Sequence, residues 1–411
     1  MAAAPTRMRA WEFASRGAPA DILSLNQARP RPTLPPALPL PRAAPTPEEE
    51  WILVRVSRAA LNPGSFFHMR LVPASLRAST AVPEMDLAGS VVDVWAPTPS
   101  PSAAPVSATE QTSGSGVVVG GGFQKGDRVV AFLPISFTYQ TGLGALAEYV
   151  AFPAKYAVKL PEHVREKDAV GVILAGCTAW EVLREARIGA GDRVLVNAAS
   201  GGIGTFVVQM ARHIVGDEGR VVGICSGRNR ELVLGLGADE VSVLFLALHP
   251  TGVGHVQVID YTAYDNLSEE LGRRYGDRPF DAVADALGIQ ALFGSCALYL
   301  REGGIYASVG IKPAAWSYGH FLSAAWRMQL NAYWPLSPWL GGTGRTWRCP
   351  AVMDPGRELV GTVVRLLEQG KIKVVVDSEW KFELVKEAYD YLESRRARGK
   401  VVVVVAEEEC R

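Results

Sequence analysis

Over residues 168–288 the sequence switches repeatedly between two hydrophobic periods, and that alternation limits the fold more than any other feature. DAVGVILAGCTAWEVLREA has the spacing of a half-buried helix, DRVLVNAA is a short apolar run, and TFVVQMARHIV is helical again. RVVGICS, RELVLGLGA and PFDAVADALG continue the exchange of strand and helix. Strands this apolar need cover on both faces. Helices on either side of a parallel sheet, joined by right-handed crossovers, provide it, so a doubly wound α/β domain is expected here.

Within this region VLVNAASGGIGTFVVQMAR joins a strand to a helix through a glycine-rich turn. A backbone that approaches a diphosphate closely tolerates no side chain at the second and third glycine positions, which Gly201 and Gly204 fill, while Ala199 stands at the first. The helix start adds unpaired N–H groups and a positive dipole end. Alone, such a turn reads first as a tight strand–helix connection without a ligand; the repeating strand–helix context favours a dinucleotide site with Ala198, Ser200, Gly201, Gly202, Ile203 and Gly204 as contacts. The next strand closes with GICSGRNRE, lacking the acid that grips ribose hydroxyls in NAD-binding domains. Ser226 and Arg228 stand there instead, a hydroxyl and a permanent cation suited to a 2′-phosphate, so NADPH is the expected cofactor.

The chain of 411 residues exceeds the roughly 100–200 of one domain, so two compact units are expected. Residues 9–160 carry short apolar alternations of a mainly β domain, interrupted by a proline-rich stretch near 29–47 and a Ser/Thr/Pro/Gly-rich stretch near 96–122, both expected as surface insertions. Lys plus Arg equals Asp plus Glu at 42 each, which gives no general attraction to nucleic acid or an anionic membrane; the expected partner is a small-molecule acceptor. Five dispersed cysteines suggest neither a disulfide framework nor a cysteine-rich zinc site. No run nears the roughly 20 apolar residues of a membrane span, and a cytoplasmic location is expected, with an organellar leader left open.

GALAEYVAFPAKYAVKLP, LAGCTAWEVL, NAASGGIGTFVVQMAR and GICSGRNRELVLGLGADE together resemble the medium-chain dehydrogenase/reductase superfamily, in its zinc-free quinone oxidoreductase-like branch. The resemblance implies an α/β protein with a GroES-like catalytic domain over 1–160, a Rossmann domain over 161–334 and a return to the catalytic domain over 335–411. Asn62 in ALNPGSFFHMR matches the family's Asn-Pro segment beside the nicotinamide, making it the first candidate for orienting cofactor or substrate. Ser65, where the family often has an acid, is a second catalytic candidate, and with nearby His68 it stands as a candidate proton donor; a helix-capping serine and an exposed histidine are their plainer readings. Leu287 in VADALG and Val309 in ASVG match strand ends that border the nicotinamide ribose, and Tyr261 matches a tyrosine that contacts the 2′-phosphate. Asn62 and Met85–Asp86 replace the ligands of metal-dependent members, and the six histidines lack paired ligand spacing, so no metal is expected. The family's edge-to-edge dimerisation leaves a homodimer open. The implied activity is NADPH-dependent reduction of a quinone, enone or 2-enoyl acceptor; because no proton-donating tyrosine is identified, a nucleotide-binding regulatory or RNA-associated protein without turnover stands as the alternative.

One stretch departs from the pattern. The family runs LGADEVIDY, whereas this chain reads GADEVSVLFLALHPTGVGHVQVIDY. Removing residues 241–257 restores the frame, and Val-Ser and a terminal Gln are encodable by the sequences that open and close an intron. Retained intron sequence is therefore the expectation, and a transcript passing directly from the Glu240 codon to the Val258 codon is the predicted result; a transcript that includes the insertion contradicts it.

Overall fold

The computed structural model describes residues 5–34, 49–97, 122–244, 262–333, 338–350, 352, 354 and 356–407. In chain order the strands are β1 (Arg7–Glu12), β2 (Ser24–Pro30), β3 (Trp51–Ala60), β4 (Asp86–Trp95), β5 (Arg128–Phe132), β6 (Tyr149–Pro153), β7 (Ala157–Lys159), β8 (Arg193–Asn197), β9 (Arg220–Ser226), β10 (Glu240–Leu244), β11 (Phe280–Asp285), β12 (Leu300–Ser308), β13 (Thr346–Arg348), β14 (Val376–Lys381) and β15 (Lys400–Val404). The chain forms two compact units, one of Met1–Cys177, Met353–Glu393 and Lys400–Arg411, the other of Thr178–Val352 and Ser394–Gly399. Among the described residues no helix is long and apolar enough to cross a membrane.

The first unit is built on a sheet ordered β14-β15-β3-β4-β5-β7, with β6 also pairing β3. β3 reads WILVRVSRAA and buries every residue but Arg55, so it is covered on both faces. It runs antiparallel to β4 from Trp51↔Trp95 to Ala60↔Asp86, and β15 closes on its far end with Val402 opposite Ala60. The register brings Asp86 and Lys400, the first residues of β4 and β15, to one end of β3, where Asn62 follows. Gly171 lies beside them at φ +84°, and a Cβ there would sit 2.8 Å from Lys400 Cε, so this position requires glycine. The proline-rich stretch expected to stay outside any ladder begins inside one: Arg29 and Pro30 pair with Met8 and Arg7. Pro30 is the terminal residue of a two-stranded sheet, where the missing donor costs little. The bulk of both expected insertions lies outside the described residues.

The second unit contains a six-stranded, wholly parallel sheet ordered β10-β9-β8-β11-β12-β13. Renumbered within the unit this is 3-2-1-4-5-6, the order of a dinucleotide-binding sheet, and its switch point lies between β8 and β11. Leu195, Val222, Ile224, Val283, Phe280 and Tyr306 belong to its buried core. Its edges differ from those expected at 161 and 334: helix Val172–Ala186 is divided at Cys177, and the pairing of β13 with β12 carries the unit on to Val352.

Asp285, the last residue of β11, is fully buried. Its carboxylate accepts Asn197 Nδ2 from β8 at 2.7 Å, Tyr306 Oη from β12 at 2.9 Å, and the backbone N–H groups of Leu287, Gly288 and Ile289 at 3.0, 2.9 and 2.8 Å. One side chain thus holds the carboxyl ends of three strands and the turn that follows. Asp285→Ala would leave these donors unpaired in the core and is expected to destabilise the protein by about 3–5 kcal/mol, with a smaller loss for Asp285→Asn. Urea denaturation midpoints check this; an alanine variant as stable as the wild type contradicts it.

Candidate active site

The glycine-rich turn occupies the switch point of the second unit. Ala198 leaves β8 in the left-handed region at φ +55°, and Gly201 N–H returns to Ala198 O at 2.9 Å. Helix Gly204–Val215 starts directly against this reversal: a Cβ on Gly204 would fall 2.0 Å from Ala198 O. That clash is with backbone and cannot relax cheaply. Ala199, at the first glycine position, is fully buried and meets Gly223 of β9, where an added Cβ would come within 3.0 Å of the Ala199 methyl. A glycine in the neighbouring strand therefore makes room for the alanine. Among the described residues no protein acceptor takes the N–H groups of Ile203 or Gly204, which open the helix with its positive dipole end, and a parallel bridge between Gly201 and Gly399 backs the turn. The arrangement fits a diphosphate.

Two further elements frame the turn. Asn229 Nδ2 donates to Ser200 Oγ at 2.9 Å, and the buried Asn229 Oδ1 is unpaired. Ser226 and Arg228 precede it at the end of β9, Ser226 half-buried and Arg228 exposed, with no ion pair to Arg228 among the described residues. From the C-terminal segment, Gly399 N–H donates to Ser200 O at 3.0 Å. Sequence reasoning missed that backing, because GK in ARGKVVVVV reads only as the approach to a strand. Leu287 and Val309 are both tied to Asp285: Leu287 N–H binds its carboxylate, Val309 N–H binds its backbone O at 3.1 Å, and both residues are half-buried. Gly288, at φ +82°, abuts Gly310 O so closely that a Cβ would lie 2.3 Å away. Val241–Leu244 continue the edge strand; the rest of 241–257 and Tyr261 lie outside the described residues.

In the first unit Asn62 and Ser65 are both 2% exposed. The Asn62 amide is committed to protein partners: Nδ2 donates to Ala60 O at 2.9 Å and Glu84 Oε2 at 3.2 Å, and Oδ1 accepts Lys400 Nζ at 2.5 Å. Lys400 also faces Asp86 Oδ2 at 3.5 Å, and Asp86 Oδ1 accepts the N–H of Leu174 near the start of its helix at 3.0 Å. Burial pushes the Asp86 carboxyl up, against the pull of Lys400 and Leu174. Two expectations need correction. Ser65 is not a helix cap, since helix Gly64–Leu71 follows Pro63 with no side-chain cap bond. His68 is not exposed but 4% accessible, with its ring centroid 4.2 Å from that of Tyr139 and 5.0 Å from that of Phe13, because the buried face of a short helix carries it inward. Burial, aided by the charge of Arg77, pushes its pKa down to about 3, so the imidazole is neutral.

Glu84 was absent from the sequence candidates. It sits at φ +72°, 2% exposed, accepting Tyr389 Oη at 2.7 Å and Asn62 N–H at 3.2 Å. Tyr389 is 305 residues away, so no local spacing marks the pair. Burial pushes the Glu84 carboxyl up to about 7, although the bonds from Tyr389, Asn62 and Ser65 favour its charged form. Ser65, His68, Glu84, Thr138 and Tyr139 line one small cleft. Among the described residues no group of three or more His, Cys, Asp or Glu side chains could hold a metal ion.

Between the ordinary carboxyl value of 4.5 and about 7 the folded state keeps a proton on Glu84 that the unfolded state has lost, so this group's contribution to stability falls as pH rises through that window. His68 acts in the opposite sense between about 3 and 6.5, where the unfolded imidazole is protonated and the folded one is not. Glu84→Gln removes only the first effect and keeps the neighbours of the cluster: Asn62, Ser65, Tyr389, Asp86, Lys400, His68 and Tyr139. Stability of the variant relative to wild type is expected to rise from pH 4.5 to 7.5 by on the order of 3 kcal/mol. Urea titrations across the range check it; parallel pH profiles contradict it.

Comparison with known proteins agrees with both units. Residues 48–162 match the family profile described as an alcohol dehydrogenase GroES-like domain, and residues 253–403 that described as zinc-binding dehydrogenase. Trans-enoyl reductase poxH of Penicillium oxalicum is 31% identical over 431 aligned residues, spanning 98% of this chain and 99% of the relative. A chloroplast envelope quinone oxidoreductase homolog of Arabidopsis thaliana is 28% identical over 371 residues, 87% of this chain and 91% of that one. The solved structure of a mycobacterial protein complexed with NADPH shares the fold at a TM-score of 0.63 and 20% identity, covering 97% of this chain and all of that one. The parallel sheet with its glycine-rich switch point, the β-rich partner unit and a relative above 30% identity along almost the whole chain lead to one assignment: the protein belongs to the medium-chain dehydrogenase/reductase superfamily.

Proposed function

We propose that the protein is an NADPH-dependent oxidoreductase that reduces a quinone, enone or 2-enoyl acceptor without a metal ion. The observation that carries this reading is the end of β9. There Ser226 and the exposed Arg228, which has no ion pair among the described residues, lie at the end of the strand beside the glycine-rich turn Ala198–Gly204, where an NAD-specific domain carries an acid. When bound, NADPH supplies the hydride. Ile203 and Gly204 hold the diphosphate through backbone N–H groups, and Ser200 and Asn229 border it. Arg228 and Ser226 grip the 2′-phosphate, and the turns at Leu287 and Val309 border the nicotinamide ribose, fixed by Asp285. In the other unit Asn62 and Ser65 act as positioning residues of the acceptor-binding domain, Asn62 through its bonds to Glu84 and Lys400.

The metal-free reading is supported by Asn62 and Met85–Asp86, which stand where metal-dependent members carry ligands. Asp86 is already engaged by Lys400 and Leu174. The acceptor class is supported by the trans-enoyl reductase and quinone oxidoreductase relatives, and the cofactor by the NADPH complex of a structural neighbour. A cytoplasmic enzyme acting on a small molecule, with a homodimer as the family's assembly, completes the proposal.

The test is loss of NADPH absorbance with a panel of quinones and enones, combined with calorimetric titration of wild type and Arg228→Ala. Acceptor-dependent oxidation is expected, and the variant is expected to bind NADPH about 10–100-fold more weakly while its affinity for NADH changes less than about twofold, as the loss of a charge-assisted phosphate contact requires. Tight NADPH binding without oxidation would sink the enzyme reading; equal discrimination before and after the substitution would sink the cofactor assignment.

A further inference from the structure

The cleft in the first unit contains two polar atoms that the protein leaves unsatisfied. His68 Nε2 and Tyr139 Oη are both buried and have no hydrogen-bond partner among the described residues. Both residues line the cleft, with Gly64, Ser65, Glu84 and Thr138 among its other walls, and the space left has room for little more than one water-sized group. Two buried groups left unpaired in one cleft are costly, and such a cost persists where a ligand removes it. The other polar groups of the cleft are engaged: Glu84 by Tyr389 and Asn62, and Thr138 Oγ1 by Ile135 O at 2.9 Å.

The chemistry of the two atoms narrows the ligand. A phenol buried this way stays protonated, because burial pushes Tyr139 well above its ordinary value, and it is an O–H donor. His68 is a neutral imidazole that offers an N–H when its proton lies on Nε2. Two neutral donors in a cleft with room for little more than one water-sized group match a single acceptor oxygen with two lone pairs. A cation finds no free carboxylate there.

We propose that this cleft is the carbonyl site of the acceptor: Tyr139 Oη–H and His68 Nε2–H both donate to the carbonyl oxygen of an enone, enal or 2-enoyl compound. The inference rests on the reductase reading and deepens it, naming the groups that polarise the acceptor. Polarisation draws electron density from the β-carbon toward oxygen, and the two donors are worth most when that oxygen carries the negative charge of the enolate. Phe13 and Met85 supply the apolar surroundings that keep the donors dry.

The experiment uses the full-length protein and a chromophoric enal, 4-(dimethylamino)cinnamaldehyde, whose absorption moves to longer wavelength when its carbonyl accepts strong hydrogen bonds. Wild type is expected to give a saturable red shift with or without NADPH, and Tyr139→Phe and His68→Leu to lose most of it, while His68→Gln, which restores an N–H donor, recovers part. In turnover with an enone, Tyr139→Phe is expected to lower kcat/KM about 10–100-fold, with NADPH affinity unchanged by calorimetry. Absence of a shift with wild type overturns the proposal whether or not the variants fold, and so does a shift that survives in both Tyr139→Phe and His68→Leu. A water held permanently by the two groups gives the first of those outcomes. If wild type shows the donor-dependent shift yet never oxidises NADPH, the carbonyl site stands and the reductase reading falls.

Discussion

The Asp285 carboxylate is the interaction on which the nucleotide-binding unit depends. It is buried without a cation and is tolerated because five donors converge on it, two from neighbouring strands and three from the backbone of the next turn. Asn197, one of those donors, uses its Oδ1 to accept the N–H of Ala198 at 2.9 Å, so the same network sets the start of the glycine-rich turn. From there the geometry follows by exclusion. The chain reverses at Ala198 in a left-handed conformation, the helix must begin within van der Waals reach of Ala198 O, and only a residue without a Cβ fits at Gly204. The turn's open backbone is thus what remains of a tight strand–helix connection once every neighbouring atom is placed.

The β-rich unit solves a different problem, the burial of charge. Lys400 and Asp86 are 4% and 0% exposed, and the pair survives because Asn62 stands between them and the Leu174 N–H takes the other carboxylate oxygen. Asn62 is therefore occupied from both sides, by Lys400 at its oxygen and by Glu84 at its nitrogen. A residue held in this way transmits position. His68 and Tyr139, in the cleft lined by Ser65 and Glu84, have hydrogen-bonding capacity to spare among the described residues, and a ligand is met by capacity that the fold has not used.

The parallel sheet was legible because its strands are continuous apolar runs and its helices have a clean 3.6-residue period; both signals are local. The glycine-rich strand–helix turn was legible for the same reason, as was the lack of an acid after β9. The contacts that tie Asn62 to Lys400 and Glu84 to Tyr389 were not, since they join residues 338 and 305 positions apart and depend on β15 returning to the edge of β3. His68 was misjudged because a polar residue in FFHMR gives no sign of which helix face will be covered. β13 was not marked by the sequence, because TWR is too short for its pattern to register, and its pairing with Ile305–Ala307 extends the parallel sheet past residue 334.

The most direct measurement is a crystal structure of the protein soaked or grown with NADPH. The account predicts diphosphate oxygens on the N–H groups of Ile203 and Gly204 and the 2′-phosphate against Ser226 and Arg228. A cofactor bound with its diphosphate away from this turn, or with the adenosine end turned from β9, would contradict it.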